Sequence, residues 1–245
     1  MTIEELERSE AVFKKRRKIK KTVNMIISFI IFFACVIAVY DSVVIRHYDL
    51  FDRLRYMTWL SSIYTAILSL LCGIVNLIEL ITDTELTSRF VYFTRLSCAT
   101  NEMVVLMVVL YGLLPSVPDH PDFTSVTGFI MHVFMPLLTP LSFVFNDAPM
   151  GKLKPMEVFH GTWFITLYAV VMIPLIMTGV IPREKVPYSF LLVQDHSLLY
   201  DIVVACAIYT IGYMMSAFLS WMNRKLSWVW FTDIFAKKKR NGKNH

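Results

Sequence analysis

Six apolar runs, each long enough to cross a bilayer, take up most of this chain. They lie at about 23–45, 57–80, 97–115, 125–146, 160–181 and 196–222. A bilayer core of about 30 Å needs roughly 20 residues of helix at about 1.5 Å per residue. Backbone amides in hydrocarbon have no water to bond, so a spanning segment is a helix or part of a closed barrel. These runs lack the alternation of barrel strands, which leaves helices. With 56% hydrophobic and only 18% charged residues, the chain reads as an all-α integral membrane protein of six transmembrane helices. The connections are too short to hold a soluble domain.

Charge sets the expected orientation. Residues 1–22 form a basic tail with Arg8, Lys14, Lys15, Arg16, Arg17, Lys18, Lys20 and Lys21. Residues 223–245 form a second tail, basic and aromatic, around Trp228, Trp230, Phe231 and Lys237 to Arg240. Between them, 23–222 is the six-helix domain. An even number of spans puts both tails on one side. With Arg89, Arg95, Lys152 and Lys154 assigned to loops on that side, 19 of the 24 basic residues share it. The positive-inside rule makes it the cytoplasm. Such tails meet anionic head groups, and no nucleic-acid partner is expected. Residues 1–12 read as a short amphipathic surface helix. Cys35, Cys72, Cys98 and Cys206 all fall inside spans with no paired spacing, so they read as core or lipid-facing residues.

Polar side chains inside spans are costly and mark function or close packing. Spans two, four and six run inward from the outer face. Thr58, His132, His196 and Asp201 therefore share the outer half, with Ser61 and Ser62 on the same helix as Thr58. Asn101, Glu79, Glu102 and His160 are expected in the inner half. A hydroxyl becomes a nucleophile when a base takes its proton, and histidine is the usual base. Thr58 with His132 supplies such a pair if spans two and four touch, with Asp201 or Asp195 as the group that orients the ring. Ser61, or a backbone N–H freed by Pro136, is a candidate oxyanion donor. Pro136, Pro140 and Pro174 open their helices locally. No HExxH, no Cys/His cluster and no phosphate-binding glycine loop occurs, so no metal or organic cofactor is expected.

These residues resemble a family. Tyr56-Met57-Thr58-Trp59-Leu60-Ser61-Ser62 is similar to the aromatic-x-Thr opening of the androgen-induced and androgen-dependent multi-pass membrane hydrolases, and to the opening of their bacterial six-transmembrane relatives. Met131 to Leu138 resembles the family's His-x-x-x-Pro element, and Val186-Pro187-Tyr188-Ser189-Phe190-Leu191 resembles its aromatic-Pro-Tyr segment. The three matches occur in order across about 55–195. Where eukaryotic members carry Asn-His before the key histidine, this chain has Thr127-Gly128-Phe129-Ile130. The resemblance implies cofactor-independent hydrolysis of fatty-acid esters, with Thr58 as nucleophile and His132 as base.

Two readings follow. In the first, the chain is an intramembrane hydrolase of lipid or fatty-acid esters, with membrane lipids around it and a lipid-ester substrate. In the second, it is a non-enzymatic lipid- or partner-binding protein or a small transporter, in which Glu79, Glu102, His160 and Asp201 are structural or proton-relay groups. Six spans, short loops and no endoplasmic-reticulum retention signal suggest a bacterial cytoplasmic membrane.

Overall fold

The computed structural model describes residues 3–84, 86, 88–113, 125–148, 151–188, 191, 192, 195 and 197–229. Among the described residues every regular element is helical. Six helices are long and apolar enough to cross a membrane. They are α1 (Ile3–Tyr40), α2 (Met57–Thr82), α3 (Arg89–Val108), α4 (Val126–Asn146), α5 (Pro155–Met177) and α6 (Leu198–Val229). Lys20 Nζ, just ahead of the apolar part of α1, donates to Ser227 Oγ at the end of α6 (2.9 Å). The start of the apolar part of α1 and the end of α6 therefore share one end of the bundle, here called the basic end; the opposite one is the far end.

Three boundaries depart from the sequence reading. Residues 3–12 are not a separate surface helix. They are the first turns of α1, which runs unbroken for 38 residues because neither Gly nor Pro interrupts it. At about 1.5 Å per residue α1 is roughly 57 Å long, so its basic stretch projects beyond the apolar part. Lys21 pairs with Glu79 (2.7 Å), and Lys14 and Lys18 pair with Asp83. Asp83 turns the chain after α2 in the left-handed region, at φ 54°.

The second departure is α3, which starts at Arg89 rather than near 97. Ser88 caps it, its hydroxyl accepting from the Val91 N–H. Arg95, expected in a loop, is thus inside the helix and buried. Third, α6 continues past 222 to Val229, so Arg224 and Lys225 are helical. Trp230 and Phe231 lie outside the described residues.

Helix α3 is the axis of the bundle: 67% of its spanning stretch is buried, the highest share among the six. Its buried residues are mostly polar or small. Around it, Ile31, Cys35 and Ala38 of α1 pack with Trp59 and Ala66 of α2 and Ile130, Met131 and Met135 of α4. Met57, Leu60 and Tyr64 on another face of α2 pack with Phe164, Tyr168 and Met172 of α5. Near the basic end, Leu96 of α3, Phe143 of α4 and Leu219 of α6 form a third cluster.

Three helices contain one π-helical turn each: Asp41–Ile45 after α1, Val109–Leu113 after α3 and Ile130–Phe134 within α4. The turn in α4 has a chemical cause. Pro136 has no N–H, so the carbonyl four residues earlier, that of His132, loses its helical donor. The chain widens there, and the Met135 N–H bonds to Ile130 O instead. Turns of this kind are frequent at functional sites.

Candidate functional site

The basic third of the bundle fixes the register of the helices. Arg95 Nη2 donates to Ser142 Oγ of α4 (3.0 Å) and to Asn24 Oδ1 of α1 (3.3 Å). Its Nε donates to Asp147 Oδ2 (3.1 Å). On α2, Thr65 faces both Cys98 and Glu102 of α3, and Cys72 lies toward Arg95. Ten positions outward from Ser142 comes His132, and ten outward from Cys72 comes Ser62. Both therefore lie about 15 Å beyond the Arg95 contact. Thr58 lies one turn, about 6 Å, further out. Ile63 packs against the cluster that contains Ile130 and Met131.

Spans two and four do touch, then, and they touch at the level of His132. The N-terminus of α4 is at the far end, and His132 lies in its π-helical turn, about one turn toward the basic end from Thr58. Thr58 is 8% exposed, whereas Ser61 and Ser62 are wholly enclosed. Ser61 donates its hydroxyl to the Thr58 carbonyl (3.0 Å). It is committed to its own helix and is not the oxyanion donor expected of it. The expectation for Pro136 needs correcting too: a proline frees the carbonyl four residues back, an acceptor, and no N–H.

A donor set is present at the mouth of α2. The Tyr56 side chain makes no capping bond, so the first amides of the helix need another partner. The Tyr188 oxygen accepts from the Met57 and Thr58 N–H groups. Its ring stands edge-on to Tyr56, centroids 6.4 Å apart. Burial raises the Tyr188 phenol to about 12, which keeps it a protonated donor at neutral pH. Nearby, the Tyr168 hydroxyl donates to Arg55 O (2.7 Å) and Arg55 Nη1 to Lys185 O (3.1 Å). These bonds tie the start of α2 to α5 and to the 183–188 connection. Tyr56 and the 183–188 connection thus meet at the mouth of α2, while Met131 packs on another face of that helix.

The supporting residues fare differently. His196 lies outside the described residues. Helix α6 packs through its basic-end half, where Leu219 and Asn223 are buried, while Leu198, Ile202 and Val203 near Asp201 are exposed. Asp201 itself is half-buried, with Oδ1 enclosed. Asp195 is paired with Arg183.

The expected inner polar layer separates into parts. Glu79 belongs to the Lys21 contact, and His160 lies between the rings of Phe93 and Trp163 (4.4 and 4.6 Å between centroids). Glu102 is seven positions outward from Arg95, about 10 Å further along α3, and so sits near mid-depth. The far end also holds a polar knot: the Thr127 hydroxyl lies 2.7 Å from Asp41 Oδ2, to which Arg46 Nε also donates (3.1 Å).

Between α1 and α4 a groove of about 490 Å³ is lined by Ala34, Ile37, Val126, Phe129, Ile130 and Phe134, with Ser125 at its rim. It is at the depth of His132 and opens outward from the bundle. Among the described residues no group of three or more His, Cys, Asp or Glu is placed to hold a metal ion. No protein-family model, curated protein or solved structure matches the chain.

Proposed function

We propose that this chain is an integral membrane hydrolase of lipid or fatty-acid esters, with Thr58 as nucleophile and His132 as base. The observation that carries the reading is at the mouth of α2, where Thr58 is buried and the Tyr188 oxygen accepts from the Met57 and Thr58 amides. Helix α4, which carries His132, packs on a different face of α2 from Tyr188, about one turn toward the basic end. The spans lie in the bilayer with the basic end on the cytoplasmic side, as the lysine and arginine distribution requires. The groove between α1 and α4 is suited to an acyl chain entering from the outer leaflet.

In the reaction, the Thr58 oxygen bonds to the ester carbonyl carbon while its proton passes to His132. The carbonyl oxygen becomes an oxyanion, to which the Tyr188 hydroxyl donates; a preorganised donor of this kind is worth about 2.7–4 kcal/mol. The intermediate collapses, the ester C–O bond breaks, and the leaving alkoxide takes the proton from His132. Water, deprotonated by His132, then attacks the acyl-threonine. The fatty acid leaves and the Thr58 hydroxyl regains its proton.

The test is hydrolysis of a fatty-acid ester by the purified protein in detergent, together with labelling by a fluorophosphonate. Thr58→Ala and His132→Ala, each folded as judged by its melting curve, are expected to lose both. Folded variants with undiminished turnover would end the proposal. The polar mid-depth of α3 favours a second reading, a lipid-binding or proton-linked transport role. In that case neither variant affects any hydrolysis, and substitutions in α3 abolish transport into vesicles.

A further inference from the structure

Helix α3 carries an acid where an acid is hardest to keep. Glu102 is wholly buried, thirteen positions from Arg89 and nine from Tyr111. Those intervals put it about 20 Å and 14 Å from the two ends of the spanning stretch Arg89–Tyr111. Neither of its carboxyl oxygens has a hydrogen-bond partner of ordinary length. The groups that face it are Thr65 of α2, Cys35 of α1 and Cys98 one turn back on α3. None is a cation.

The charge that could compensate it is elsewhere. Arg95 spends Nε and Nη2 on Asp147, Asn24 and Ser142. Across 25–45, 57–82, 96–113, 126–146, 161–177 and 198–223, His132 is the one basic side chain. It lies about one turn outward from Glu102 and is not among the groups that face the carboxyl. An ionised carboxylate in such a place keeps a desolvation penalty of several kcal/mol even after relaxation. A proton removes the charge and gives the carboxyl a donor for the Thr65 oxygen.

We propose that Glu102 is a proton-binding site at the middle of the bundle, occupied at neutral pH. The inference rests on the spans lying in a bilayer and is independent of the hydrolase reading. As a neutral acid in an apolar setting, Glu102 is a target for a membrane-soluble carbodiimide. The carboxyl O–H adds across one N=C bond: the oxygen bonds to the central carbon and the proton goes to nitrogen. The O-acylisourea rearranges to a stable N-acylurea, so the residue gains the full mass of the reagent.

The experiment treats the intact wild-type protein in liposomes with dicyclohexylcarbodiimide and locates the adduct by peptide mass spectrometry. Glu102 is expected to be labelled, with labelling lost in Glu102→Gln, diminished at alkaline pH, and unchanged in His132→Ala. A water-soluble carbodiimide is expected to leave Glu102 unmodified. Labelling of Glu79 or Asp201 with Glu102 untouched would overturn the proposal. Protection of Glu102 by sodium at fixed pH would also overturn it, since the site would then hold a metal cation.

Discussion

Arg95 and Asp147 meet at 3.1 Å at a point where four helices converge. Asn24 of α1 donates to Asp147 Oδ1 (3.3 Å), and Asn223 of α6 donates to Asp147 O (2.9 Å). The same Asn223 amide reaches Phe143 O of α4 (2.9 Å), and its carbonyl accepts from Tyr92 OH (3.3 Å). The contact thus holds α1, α3, α4 and α6 in register, and every depth assigned to Thr58, His132 and Glu102 is measured from it.

Removing one partner of a buried ion pair leaves the other charge uncompensated, at about 3–5 kcal/mol. Arg95→Ala is therefore expected to destabilise the protein by that amount, and Asp147→Ala similarly. Arg95→Lys keeps the charge but not the fork that reaches Asp147, Asn24 and Ser142 together, so its stability should fall between those of the parent and Arg95→Ala. Melting temperatures in detergent decide this. An Arg95→Ala variant as stable as the parent would remove the contact as the basis of the register.

Gly161 is a close-approach position. A Cβ built on it would stand 2.2 Å from Ser216 Oγ and 2.8 Å from Thr100 Oγ1. Ser216 cannot yield freely, because its hydroxyl donates to Val158 O (2.7 Å). Gly161→Ala is expected to cost about 1–3 kcal/mol through overpacking, and Gly161→Val more. Gly151, where nothing lies within 4 Å, is no control for space alone, since its φ of +76° is itself unfavourable to a side chain. The measurement is thermal unfolding, with Ser216→Gly as the relieving second change, since Ser216 Cβ also stands 2.5 Å from the added carbon: the double variant should recover part of the loss.

How much was legible before the coordinates depends on the kind of signal. Six spans follow from the length of apolar runs, a property of consecutive residues. That Thr58 and His132 fall in the same half of the bundle follows from counting along alternating helices, although Thr58 lies one turn further out. The start of α3 was hidden because Arg89, Arg95 and Thr94 look like loop residues until Asp147, fifty-two positions later, is seen to neutralise the buried charge. With that start misplaced, Glu102 reads as an inner-layer residue. Tyr188 carried no chemical signal of its own: its role depends on a tertiary approach to amides some 130 positions earlier. The Pro136 effect was derivable, since the missing N–H and the carbonyl it orphans are both fixed by helix geometry.

Two hydroxyls of α2 lie within about a turn of the His132 level, and their separation along the helix makes the test of the proposed nucleophile sharp. Ser62 is level with the histidine but wholly enclosed; Thr58 stands above it, next to the Met57 and Thr58 amides. Thr58→Ala is expected to reduce ester turnover by about 10³-fold or more, as loss of a nucleophile does. Ser62→Ala is expected to stay within about threefold, an alcohol deletion with no role in the chemistry. The reverse order would move the nucleophile to Ser62 and leave His132 in place.

Tyr188→Phe separates the donor role from packing, because the ring and its contact with Tyr56 are kept. Loss of one oxyanion donor is expected to lower kcat by about 10²–10³-fold with little change in KM. The pH dependence has a definite sign. Burial raises the folded phenol to about 12, against about 10 for an unfolded tyrosine. The neutral form is thus favoured by folding. Its contribution is fully present below about pH 10, and is lost as the pH rises through the folded value. Turnover by the parent should hold to about pH 11, while stability declines from about pH 10 upward in the parent and less steeply in Tyr188→Phe. Turnover unaffected by the substitution would place the oxyanion elsewhere than at the mouth of α2.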